Sequence, residues 1–113
     1  MNSLIEKQLS QKEIFDLFLI QLYKDFEMSG IPADFVYSLP SRFLDLKQQL
    51  KTQLFSAFKS SSESLANLLY RVDIAENQLN TNTISSSDFY DALAETIIKR
   101  VLQKVILKKQ FST

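Results

Sequence analysis

No Cys, His or Trp occurs in these 113 residues, and Gly occurs once, at Gly30. The missing thiols exclude disulfide frameworks, Cys-based zinc sites and thiol redox chemistry. The missing imidazoles remove the commonest acid–base group at neutral pH and the commonest metal ligand. A carboxylate-bridged iron site is not expected either, because the Glu-x-x-His pairs of that architecture cannot exist here. A single Gly leaves no phosphate-cradling loop, and no Asp-x-Asp-x-Asp-Gly run marks an EF-hand. Long apolar runs are also missing: Ile14 to Tyr23 is broken by Asp16 and Gln21 and is far too short to span a bilayer. The segment Met1 to Lys7 lacks the basic-then-apolar order of a signal peptide. The expectation is a cytoplasmic chain that is not an enzyme, uses no cofactor and does not engage a membrane.

What remains is a globular composition: 45% hydrophobic, 23% charged, with nine Phe and four Tyr. A chain of this length buries roughly two-thirds of its unfolded surface, so one domain spanning 1–113 needs no covalent staple. Apolar residues recur at helical spacing, most clearly as Ile97-Ile98, Val101-Leu102 and Val105-Ile106. No alternating run is long enough for a strand. The fold expected is all-α: a compact helical bundle with three long helices at about 11–28, 41–59 and 88–110. Short helices are expected at about 33–38, 63–72 and 74–80.

Local signals place the boundaries. Ser10 to Glu13 matches a capping box, as does Asp73 to Glu76. Gly30 suits a left-handed helix terminus. Ser38 or Ser41 is the candidate cap of the second long helix, with Pro40 in its first turn. Ser60 to Ser62 breaks the chain, and Ser86 or Ser87 caps the last helix. The first long helix carries Ile14, Phe15, Phe18, Leu22 and Phe26 on one face, with Leu17, Leu19, Ile20 and Tyr23 around the rest. The second carries Phe43, Leu46, Leu50, Leu54, Ala57 and Phe58.

Charge is segregated although it sums to zero. Between residues 60 and 98 Arg71 is the lone base among Glu63, Asp73, Glu76, Asp88, Asp91 and Glu95. Beyond them come Lys99, Arg100, Lys104, Lys108 and Lys109 with no acid. Acids early and bases late in the last helix complement its dipole. The same bases could instead dock on phosphate or an acidic partner, although without interleaved aromatics or a Gly-rich loop they make a poor nucleic-acid signature. Asp88, Asp91 and Glu95 share a face that could hold a hard cation, but dipole complementation accounts for the first two. Arg71 is a candidate anion contact, or a fork to Asp73 and Glu76. Asp25, on the apolar stripe of the first long helix, could be an acid held in a cleft, but is expected to turn out to water at the helix end.

In the last helix Ile97, Ile98, Val101, Leu102, Val105 and Ile106 cover about half the circumference and Leu107 lies outside that arc; the apolar arc of the first long helix is similarly wide. Such breadth needs two or more neighbours, and a surplus marks a contact site. The function expected is a small non-catalytic protein-interaction module that binds itself or another protein. Its candidate surface is Ile98, Leu102, Ile106 and Leu107 with Lys99, Arg100, Lys104, Lys108 and Lys109. The alternatives are a nucleic-acid-associated domain using the basic helix, and a bundle that holds an apolar small molecule with Tyr23, Tyr70 or Tyr90 as its polar contact.

Overall fold

A computed structural model describes residues 3–72 and 87–111. The fold is all-α, and no strand occurs among the described residues. Helix α1 is Ser3–Leu9, α2 Lys12–Met28, α3 Phe43–Ser60, α4 Ser62–Arg71 and α5 Ser87–Phe111, with one 3₁₀ turn at Val36–Ser38. The expected short helix at about 74–80, its capping box and the Ser86 cap lie outside the described residues.

Two expected caps are not made. Ser10 donates its hydroxyl to the Lys7 carbonyl at 2.6 Å, and its backbone N–H reaches Glu6. The residue therefore completes the last turn of α1, and its hydroxyl is not free for α2, whose N-cap is Gln11 with no side-chain bond. Ser38 likewise donates back to Phe35 at 2.8 Å, and α3 starts after Arg42 without a side-chain cap. Pro40 thus precedes α3 and is not in its first turn. The Ser60–Ser62 break is realised: Ser61 is the N-cap of α4, and its hydroxyl accepts from the Ser64 N–H at 3.2 Å.

Gly30 ends α2 with φ at +81°. Its N–H bonds to Glu27 at 3.1 Å, and the next N–H, of Ile31, bonds to Phe26 at 3.0 Å. This is a Schellman closure, with buried Ile31 and Phe26 as its apolar contact. The chain is thereby turned towards the 3₁₀ segment, whose Val36 enters the core.

Helix α5 packs against both α3 and α2, and α4 packs on α3. This central position explains its wide apolar arc: Leu93, Ala94, Ile97, Ile98, Val101 and Leu102 are all fully or almost fully buried. Opposite them stand Phe18, Leu22 and Phe26 of α2 and Phe43, Leu46, Leu50 and Leu54 of α3, also buried. Each such side chain contributes about 1.5–3 kcal/mol through burial. Tyr90 packs edge-on against Phe55, Phe58 and Phe89 at 5.1–6.1 Å between centroids. Because α2 and α3 cover most of the arc internally, Ile98 belongs to the core and not to an outer surface, and Leu102 is only 2% exposed. Asp25 also departs from expectation: it is 1% exposed, because α5 crosses the end of α2 where the helix alone would meet water.

Candidate functional site

The bases of α5 turn inward. Lys104 Nζ donates to Asp25 Oδ2 at 3.0 Å and to the Arg71 carbonyl at 3.4 Å. One turn on, Lys108 donates to Gln21 Oε1 at 2.8 Å, and Gln21 in turn donates to Asp25 Oδ1 at 3.0 Å. Lys109 pairs with Glu13 near the start of α2. These partners run in opposite chain order, so α2 and α5 are antiparallel along a polar seam. Ser29 closes its lower end by donating to the Asp25 carbonyl at 2.7 Å.

Arg71, the last residue of α4, approaches the same carboxylate, with Nε 3.8 Å from Asp25 Oδ1. Its Nη2 donates to Met28 Sδ at 3.4 Å. The guanidinium and the Lys104 ammonium thus lie over the carboxyl ends of α4 and α2, where cations complement the dipoles. The alternative fork to Asp73 and Glu76 falls outside the described residues. Of the other α5 bases, Lys99 pairs with Glu95 at 3.0 Å and Arg100 donates to Gln103 at 2.8 Å. Each of the five therefore has an intramolecular partner.

On its other side α5 presents acids. Lys47 of α3 lies 3.3 Å from Asp91 and 3.6 Å from Glu95, and Lys51 lies 4.0 Å from Asp91. Two of the three carboxylates considered for a cation therefore face lysines, and the Asp88 side chain is outside the described set. No group of three His, Cys, Asp or Glu side chains suited to a metal occurs among the described residues.

The tyrosines do not converge. Tyr23 packs at a tilt against Tyr37 with ring centroids 5.1 Å apart, Tyr70 projects from α4 into solvent, and Tyr90 is buried among phenylalanines. Burial pushes the Tyr90 hydroxyl above its usual value of 10.0. Hydrogen bonding to Glu27 raises that of Tyr23. No helix among the described residues is long and apolar enough to cross a membrane.

The clefts formed by the described residues include two that open on the surface. One, of about 180 Å³, lies where the α2 terminus meets the α3–α4 break and is lined by Ile31, Ala57 and the hydroxyls of Ser56, Ser60 and Ser64. The other, of about 290 Å³, is a groove between α1 and α5. Ile5, Leu102, Ile106 and Leu107 form its apolar lining, and Gln8, Gln103, Gln110 and Lys99 surround them. Three of the four apolar residues considered for an interaction surface thus meet in one place, while Ile98 does not join them. Sequence reasoning missed Ile5 and the glutamines, since α1 has only seven residues and its position beside α5 leaves no periodic signal. Leu4, on the same side of α1 as Gln8, is 66% exposed and Leu107 is 45% exposed. Comparison with protein families, with characterised proteins and with solved structures finds no match to this chain.

Proposed function

We propose that this chain is a non-catalytic helical interaction module, and that its contact face is the groove between α1 and α5. The observation that carries this reading is the contrast between that groove and the rest of the polar surface. The α5 bases considered for a phosphate or nucleic-acid ligand are engaged within the bundle, through Glu95, Gln103, Asp25, Gln21 and Glu13. The groove instead gathers Ile5, Ile106 and Leu107 beside an exposed Leu4. Apolar side chains gathered at one surface mark protein contacts. Its surrounding amides give orientation, and the charge of Lys99 on the rim is met by Glu95.

The reading is tested by adding a leucine-rich amphipathic helical peptide and recording methyl NMR shifts. Changes concentrated at Ile5, Leu102, Ile106 and Leu107, with the core methyls of Leu50 and Leu54 unmoved, support it. An unchanged spectrum, or changes spread evenly over the molecule, refutes it.

A further inference from the structure

We infer that the partner seated on the α1/α5 groove is a second copy of this chain, in a two-fold symmetric dimer. The inference rests on the interaction reading above and specifies its occupant.

A two-fold interface brings one patch against itself, so whatever the patch carries must tolerate its own image. A patch bearing net charge fails that condition, because like charges are placed together. Here Lys99 is the one charged residue in the lining, and its ammonium is 3.0 Å from Glu95. The remaining polar lining is Gln8, Gln103 and Gln110. Gln103 already accepts from Arg100 at 2.8 Å; the amides of Gln8 and Gln110 are each both donor and acceptor and can pair with the same amide of another copy.

Shape meets the same condition. The patch holds a depression of about 290 Å³ and, beside it, protruding leucines. Leu107 stands on the α5 wall, and Leu4 lies one turn from Gln8 on the α1 wall. A two-fold axis through the groove lets the leucines of each copy enter the depression of the other. Projection and recess on one neutral face fit a copy of that face. A basic partner would find no acidic side chain in the lining.

The test is sedimentation equilibrium of the full chain over a wide dilution series, beside Leu107→Glu and Leu4→Glu. The wild-type chain is expected to dissociate from dimer to monomer on dilution. Each variant is expected to stay monomeric at concentrations where the wild type is dimeric, with an unchanged helical circular dichroism spectrum. Both sites are exposed, so neither variant disturbs the core. A wild-type chain that is monomeric throughout overturns the inference, as does a dimer that both variants leave intact. If the monomer still shows groove-specific methyl shifts with the peptide, the second-copy inference fails while the interaction reading stands. If those shifts are absent as well, both fail.

Discussion

Helix α5 docks on its two neighbours through opposite charges and in different settings. Its first half offers Asp91 and Glu95 to Lys47 and Lys51 of α3, and Asp91 remains 43% exposed. Its second half sends Lys104 to a carboxylate on α2 that is 1% exposed. The first arrangement leaves water able to solvate the acid if the base is removed. The second leaves a buried charge that depends on Lys104, Gln21 and a distant Arg71. Similar pairings on one helix should therefore differ several-fold in energetic consequence, and burial of the acid decides which matters.

The largest expected effect comes from breaking the buried side. Lys104→Met should cost about 3 kcal/mol in chemical denaturation, since removing one partner of a buried pair strands the other. Adding Asp25→Asn should restore more than half of that loss, because an uncharged amide can keep the Gln21 hydrogen bond. A double variant as unstable as the single one would mean that Lys104 acts through packing alone. On the α3 side, Lys47→Ala should cost under about 1 kcal/mol, a loss that shrinks further in high salt. A larger, salt-insensitive loss would erase the contrast between the two sides.

The smallest effect appears at high pH. The buried Tyr90 hydroxyl has its pKa raised above 10.0 in the folded chain, so the folded state holds that proton more tightly than the unfolded state does. This contribution is complete below the unfolded value and is lost as pH rises through the folded one. Tyr90→Phe keeps the aromatic contacts and should flatten the decline in stability above pH 10. A residual slope is expected from Tyr23, which Glu27 shifts in the same direction. Parallel alkaline profiles for the variant and the wild type would show that Tyr90 has no part in it.

Much of the fold was legible because burial repeats with the helix. Phe43, Leu46, Leu50 and Leu54 mark the inner face of α3, and Gly30 marks the end of α2, from the sequence alone. Pattern failed where one motif has two uses. Ser10 and Glu13 spell a capping box, yet the serine serves the helix before it. It failed again where the deciding contact is remote. Nothing near Asp25 announces Lys104, 79 residues away, so an acid on the apolar stripe close to the helix end reads as turning out to water. The candidate surface shows the same limit. Leu102, Ile106 and Leu107 were identifiable on α5, but the groove needs Ile5 and Gln8 from α1. Ile98 looked equally apolar and is covered, because the wheel does not say which part of a wide arc each neighbour takes.

The claim that copies meet at the α1/α5 face is tested most directly by a distance between copies. The chain has no Cys, so Gln110→Cys provides one site for a nitroxide, and Glu63→Cys on α4 provides a distant reference. Pulsed dipolar EPR on concentrated samples should give a defined, short interspin distance for Gln110 and a longer one for Glu63. No dipolar coupling at Gln110, or a shorter distance at Glu63, would contradict the account.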